Sequence, residues 1–424
     1  MRRDDNISGK LDWYAISLYI ALVVLGWINI FAAVYDDTAN QSIFDLSINS
    51  GRQLLFIVAS GIIIMGIVII DMRFYEAFAY LFYGIILFMC FLVPIVGKEV
   101  GGNKAWLGIG SFGVQPSEFA KFVTALAVGK FIGSVGFRMD NLRNQAILFG
   151  MIALPMVFIL LQKDTGTAMV FTSFVLVFYR EGMSPFLIVV GVCAAAIFIL
   201  TLLVPNQIYL HIGIGVILIG LILFGKKKPK RIAILAIGAI IISGVIESVD
   251  YVVTDVLKPH QQNRVKALIN PDADPLGFGW NVTQSKIAIG SGGFFGKGFL
   301  QGTQTKFDFV PEQSTDFIFC TIGEEWGWLG SLVIIGLFIT LLFRVIFIAE
   351  RQKNRFARAY GYAVASIFFF HFAVNIGMTI GLFPVIGIPL PFFSYGGSSL
   401  WAFTILLFIL LKLDAHRSQV LQRI

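Results

Sequence analysis

Charge is scarce in this chain. Only 13% of its 424 residues are Asp, Glu, Lys or Arg, while 57% are apolar, and a soluble domain carries about twice that charged share. With a mean hydropathy of +0.83, an ordinary soluble fold is excluded and a polytopic membrane protein is expected. Cysteine is scarce too: Cys90, Cys193 and Cys320 lie in apolar stretches without paired or ligand-like spacing, which argues against a disulfide framework or a zinc site. The four histidines, His211, His260, His371 and His416, are scattered rather than clustered as metal ligands would be. Nothing in the pattern suggests a soluble domain, a coiled coil or a low-complexity tail, so residues 1–424 read as a single integral membrane domain. The first apolar run is long enough to span and no small-residue cleavage motif follows it, so it is expected to stay as the first helix.

A crossing helix needs about 20 apolar residues. Apolar runs near 13–34, 53–71, 74–96, 117–137, 145–162, 166–180, 184–204, 207–225, 231–249, 317–346, 359–382 and 395–413 predict an all-α fold of about twelve transmembrane helices. Arg2, Arg3 and Lys10, Arg138 and Arg143, the basic run Lys226 to Arg231, Arg351 to Arg358, and Lys412 to Arg417 fall on one side of such a topology. By the positive-inside rule that side is the cytoplasm, and it holds both termini. The segments near 35–51, 97–116, 250–316 and 383–394 then face outward, with 250–316 the large extracytoplasmic loop.

That loop is the polar exception in an apolar chain. Its stretch from Asp272 to Phe319 combines carboxylates, lysines and glycines, and chemistry is expected there. Asp274 precedes a proline, which suits either a turn initiator or a general base. Lys286, Lys297, Lys306 and Arg264 could hold an anionic ligand, or could be solvated loop charges. Gly292, Gly293, Gly296 and Gly298 are expected to shape the loop. Glu118 and Lys121 are three apart and share a helix face; charges in a span face a cavity or one another, so a substrate cavity and a structural ion pair both remain open. Ser394 in PFFSYGGSS has no base at recognisable spacing, which does not support acyl transfer. The prolines and glycines around it are expected to break a helix beside a central cavity.

The stretches GGNKAWLGIGSFGVQPSEFAKF (101–122), QKDTGTA (162–168), DPLGFG (274–279), SGGFFGKGFLQGTQTKFDFVPEQSTDFIF (291–319) and GLFPVIGIPLPFFSYGGSS (381–399) together resemble the SEDS family, the RodA, FtsW and SpoVE group of bacterial peptidoglycan glycosyltransferases. They recur in the family's order over nearly the whole chain, and the 291–319 stretch is most similar to the RodA branch, which serves cell elongation. The resemblance implies ten family-like spans plus an inserted pair at about 205–250. It also implies lipid II, a disaccharide-peptide on undecaprenyl pyrophosphate, as donor, and a β-1,4 glycan strand as product. An α-linked donor giving a β linkage requires inversion in one displacement, for which one base and cations suffice. On this resemblance Asp274 is the catalytic base. Glu118 and Lys121 belong in or beside the lipid cavity, and Arg52, Asp164, Glu312 and Asp316 serve architecture and substrate positioning. The family commonly has Arg just before the Trp of the NKAW stretch where this chain has Ala105, leaving Lys104 as the candidate cation. A divalent cation, Mg or Mn, could neutralise the pyrophosphate. A class B penicillin-binding protein and other elongation-complex membrane proteins are the implied partners, without nucleic acid, at the bacterial cytoplasmic membrane with the site facing outward. A lipid II flippase or a non-catalytic scaffold for a transpeptidase are the competing readings. A flippase would gather its polar groups near mid-membrane, whereas these gather at the outer face.

Overall fold

The computed structural model describes residues 11–36, 42–100, 103–109, 112–204, 206–225, 228–251, 255, 262, 278–307 and 309–417. Helix α1 (Trp13–Val34) is started by Asp12, whose carboxylate accepts the Ala15 N–H at 3.0 Å, meeting one of the amides a helix start leaves unpaired. Helices α2 (Asn49–Ile69) and α3 (Met72–Val96) follow, the latter capped by Asp71. Three short strands, β1 (Lys98–Val100), β2 (Asn103–Ile109) and β3 (Phe112–Val114), form an antiparallel meander with Glu99 opposite Lys104 and Leu107 opposite Val114. Helix α4 (Pro116–Ile132) opens with proline in its first turn, where the missing N–H costs nothing. After α5 (Leu142–Leu161) the chain turns at Lys163, φ 65°. It continues as α6 (Thr165–Val170), a 3-10 turn (Phe171–Ser173) and α7 (Phe174–Arg180). Next come α8 (Phe186–Leu203), α9 (Ile208–Leu223), α10 (Pro229–Tyr251), α11 (Phe278–Ser291), α12 (Ile318–Glu325), α13 (Gly327–Glu350), α14 (Arg355–Thr379) and α15 (Gly397–Ala415).

Residues 184–282 form one compact unit and the remainder another. In the smaller unit α10 packs on α8 and α9. His211 of α9 reaches Ser243 (3.3 Å) and Glu247 (3.1 Å) of α10. Helices α9 and α10 occupy the residues expected for the inserted pair.

In the larger unit α14 and α15 are central, 72% and 83% buried over their most apolar stretches, whereas α2, α3 and α5 are 17–22% buried. Apolar faces such as Ile62 and Phe88 are exposed on those outer helices, as suits side chains that meet lipid tails. Lipid offers no hydrophobic reward for association, so close packing and interhelical hydrogen bonds hold the bundle. Gly26 of α1 illustrates the first: a Cβ there would lie 2.7 Å from the Phe393 backbone. Tyr19 with Thr404 (3.1 Å) and Tyr360 with the Leu406 carbonyl (3.0 Å) illustrate the second.

Among the described residues eight helices are long and apolar enough to cross a membrane: α1, α2, α3, α5, α10, α13, α14 and α15. Residues 165–180, 186–201 and 208–223 form shorter apolar helices, and α4 has 17 residues. The chain is thus a mostly helical membrane protein. The run expected as one span at 317–346 is divided. It breaks at Gly327, φ +63°, where a Cβ would meet Gly296 N at 2.3 Å. The glycine-rich turn before α12 packs into that break, so the span starts at Gly327 and leaves Glu324 and Glu325 outside it. The expected water-facing loop also contains regular structure, the 14-residue α11.

Candidate functional site

Within the larger unit two neighbourhoods bring together most of the described residues singled out by sequence. The first is buried. Lys121 is fully buried on α4; its Nζ donates to Glu118 Oε2 at 2.8 Å and to His371 Nε2 at 3.0 Å, and lies 4.5 Å from the centre of the Phe403 ring. Those contacts occupy all the directions an ammonium has. His371 Nδ1 sits 2.9 Å from the Pro389 carbonyl. A carbonyl can only accept, so Nδ1 carries the proton and Nε2 is left as acceptor for Lys121; the imidazole is a neutral bridge. Asp164 caps α6 by accepting the Thr167 N–H (3.0 Å) and takes a second bond from Gln115 Nε2 (2.9 Å). Gln115 is also tied to α15, its N–H donating to Ser398 Oγ at 3.1 Å. Glu118, Lys121 and Asp164 are therefore brought together, with their hydrogen bonds directed inward.

Around this cluster the irregular segment 384–396 is bonded from several sides. Asn375 Nδ2 donates to the carbonyls of Asp316 (2.8 Å) and Ile388 (2.7 Å). Ser394 Oγ donates to the Thr315 carbonyl (2.6 Å) and accepts the Leu390 N–H (2.8 Å), Tyr395 N–H donates to the Ser314 carbonyl (2.9 Å), and Gly396 N–H donates to Gln53 Oε1 (3.2 Å). Gly166 allows α6 to lie against it, since a Cβ would sit 2.3 Å from the Ile386 carbonyl. Non-helical backbone is stable in a membrane protein only when its groups are met in this way. Ser394 is thus a strut. Asp316 is half-buried against Gly387, whose added Cβ would be 3.1 Å from Oδ2, and Glu312 is exposed at φ 56°, bonded by Thr315 Oγ1 at 2.9 Å.

The second neighbourhood is the glycine-rich turn 291–307. Glu324, buried on α12, accepts from Thr303 N–H (2.7 Å), Gln304 N–H (2.8 Å), Thr305 N–H (2.9 Å) and Lys297 Nζ (2.6 Å). Burial alone would raise its pKa, but the Gln304 amide, Lys297 and the other two amides outweigh that and hold it at about 2. Its neighbour Glu325 goes the other way, to about 7, because burial and the charge of Glu324 exceed the help of the Leu300 and Gly302 amides and of Lys306. Among the described residues Glu325 Oε2 has no hydrogen-bond partner. Two adjacent carboxylates thus shift in opposite directions, because Glu324 sets three amides and the Lys297 ammonium against its burial while Glu325 has two amides and the more distant Lys306.

Of the other residues singled out by sequence, Asp274 and Arg264 lie outside the described residues. Lys297 is committed to Glu324 and Thr303, and Lys306 is half-buried near Glu325. Lys286 is exposed on α11, and Lys104 is exposed on β2. Arg52 is exposed at the start of α2 with Nε 3.2 Å from the Leu46 carbonyl. His371, Asn375, Gln115, Glu324 and Glu325 were missed as site residues. The signal for the first two was present: polar residues four apart on one face of an apolar helix.

The FtsW/RodA/SpoVE family model, described as a cell cycle protein, matches residues 12–212 and 187–419. The chain is 33% identical to peptidoglycan glycosyltransferase RodA of Treponema pallidum, covering 96% of this chain and 98% of the relative. It is 32% identical to peptidoglycan glycosyltransferase MrdB of Escherichia coli, covering 98% of each. A solved chain from work on a peptidoglycan synthase complex that coordinates polymerization and crosslinking superposes with a TM-score of 0.71 at 26% identity, covering 96% of this chain and 99% of that one. The rod shape determining protein RodA of Thermus thermophilus shares the fold, with a TM-score of 0.61 at 23% identity over 96% of this chain and 97% of the other. On the family match and the near full-length relatives, this chain belongs to the FtsW/RodA/SpoVE family.

Proposed function

We infer that this chain is a peptidoglycan glycosyltransferase of the RodA type, which joins lipid II units into a β-1,4 glycan strand at the outer face of the cytoplasmic membrane during cell elongation. The observation that carries this reading is the identity of 32–33% over almost the entire length of relatives that bear that activity as their name. Asp274 is the general base, accepting the proton of the acceptor sugar's 4-hydroxyl as that oxygen displaces pyrophosphate with inversion. A positioned base contributes roughly 10²- to 10⁴-fold. Arg264, Lys286 and Lys104 are the cations offered to the pyrophosphate and the peptide carboxylates, with Arg52 at the edge of the site.

Glu118, Lys121 and Asp164 act here by holding the cavity wall, because their hydrogen bonds end on protein groups. Lys297 and Lys306 shape the glycine-rich turn through Glu324 and Glu325. Asp316 and Ser394 hold the segment 384–396, and Glu312 shapes the turn that precedes α12. A divalent cation would neutralise the leaving charge. Among the described residues no three His, Cys, Asp or Glu side chains are gathered for one, so no step is assigned to it. A class B penicillin-binding protein is the proposed partner, in keeping with the crosslinking complex that supplies the solved neighbour.

The test is strand formation from purified lipid II by the reconstituted chain with its cognate transpeptidase, comparing wild type with Asp274→Ala and Asp274→Asn. Polymer from wild type and none from the folded, partner-bound variants is expected. Normal polymerisation by both variants refutes the base assignment. A wild type that moves lipid II between leaflets without polymerising it refutes the enzyme reading.

A further inference from the structure

We propose that an arginine-lined cavity at the ends of α4, α7 and α14 binds the phosphate headgroup of an anionic phospholipid. The cavity has a volume of about 450 Å³ and is lined by four guanidiniums, Arg138, Arg180, Arg355 and Arg358, and by two carboxylates, Asp140 and Glu181. Its lining carries four positive and two negative charges, and Glu350, bound to Arg180 just outside it, offsets one more, so the excess is one positive charge. The carboxylates do not quench the arginines evenly. Glu181 is bound by Arg358 at 2.8 Å through two parallel hydrogen bonds, and Arg180 is turned to Glu350 at 2.7 Å. Among the described residues Arg138 pairs with Asp140 alone, through two hydrogen bonds of 3.2 and 2.8 Å, but both side chains are exposed, 76% and 66%, and water screens such a pair so that it is worth little. Arg355 is exposed and makes no ion pair among the described residues. The cavity thus offers two guanidiniums held by Glu181 and Glu350, a third in a solvent-screened pair with Asp140 that a ligand can displace, and a fourth, Arg355, without an ion pair among the described residues. The planar fork of a guanidinium matches phosphate oxygens in pairs.

Depth selects the source of that phosphate. The spans α5 and α14 begin at Leu142 and Arg355, so the cavity lies where hydrocarbon gives way to headgroups. The turn that supplies Arg138 and Asp140 also presents Val135 fully exposed, and Leu142 follows at 78% exposure. Apolar side chains beside guanidiniums suit a molecule with an acyl tail and an anionic head, and basic pockets between membrane helices recognise such headgroups. A soluble phosphate would gain nothing from the apolar rim. None of these residues belongs to the machinery assigned above, and the proposal does not depend on the glycosyltransferase reading.

The test is native mass spectrometry of the full chain released from detergent micelles doped with phosphatidylglycerol or phosphatidylcholine. Wild type is compared with the double variant Arg138→Gln/Arg355→Gln and with Asp140→Asn, after equal unfolding temperatures confirm the fold. Wild type is expected to retain phosphatidylglycerol in preference. At about fivefold per arginine, the double variant weakens that preference about 25-fold, while Asp140→Asn strengthens it. Inorganic phosphate at millimolar concentration leaves the lipid in place. Equal retention of the two lipids by wild type, an unchanged preference in both variants, or displacement of the lipid by inorganic phosphate each overturns the proposal.

Discussion

Replacing His371 by Leu tests the buried cluster most directly. The side chain makes two hydrogen bonds, one from Lys121 Nζ at 3.0 Å and one to the Pro389 carbonyl at 2.9 Å, and its ring meets Phe403 edge-on at 4.8 Å. Leu fills much of the space but leaves a buried ammonium short of one acceptor and a buried carbonyl without its donor. Each orphaned group costs about 1–3 kcal/mol, the charged one more. The two losses are neighbours and do not add fully, so a total of about 3–5 kcal/mol is expected. His371→Gln separates polarity from shape: its Oε1 can accept from Lys121 while its Nε2 donates to Pro389, and it should recover most of the loss. The assay is thermal unfolding of the purified full chain alongside strand formation from lipid II. If the Leu variant unfolds within about 1 kcal/mol of wild type, or if Gln is no better than Leu, the bridging argument is wrong.

Glu325→Gln should flatten the pH dependence of stability between about pH 4 and pH 7. A carboxyl raised to about 7 in the fold binds its proton more tightly there than in the unfolded chain, so stability falls as pH rises from its unfolded value to about 7 and levels off above. The amplitude is roughly 3–4 kcal/mol, and an equally steep profile in the Gln variant, measured by unfolding temperature against pH, refutes the assignment. Glu324→Ala should free the turn 303–305, which it holds through three amides, and limited proteolysis should then cut within 291–307; a variant as resistant as wild type counts against the cradle. Gly327→Ala is expected to destabilise by more than 2 kcal/mol, since it adds both a strained φ and a 2.3 Å clash; a neutral result in unfolding assays would mean the break can relax. Ser394→Ala should lower stability by about 1–2 kcal/mol and leave a measurable polymerisation rate, whereas complete loss in a folded variant would reopen a chemical role for the hydroxyl.

The helical membrane architecture was legible because apolar runs of spanning length need no tertiary information. Boundaries were less legible where a glycine does something composition cannot reveal. The run through Gly327 reads as one span, and only the approach of Gly293 and Gly296 to that residue shows why it divides. The pairing of Glu118 with Lys121 followed from helical spacing, but His371 lies 250 residues further on, and no local pattern joins it to them. Glu324 and Glu325 are identical in type and adjacent in sequence. Their opposite behaviour is set by the amides of 300–305, which only the folded turn brings within reach.

The segment 384–396 has a consequence for how damage to this protein should spread. Its backbone answers to Gln53 on α2, to Ser314 before α12, and to His371 and Asn375 on α14, and its Ser394 hydroxyl to the Thr315 carbonyl. Lesions widely separated along the gene should therefore converge on one phenotype, a loosened 384–396 segment, and a single compensating change within that segment should rescue several of them at once.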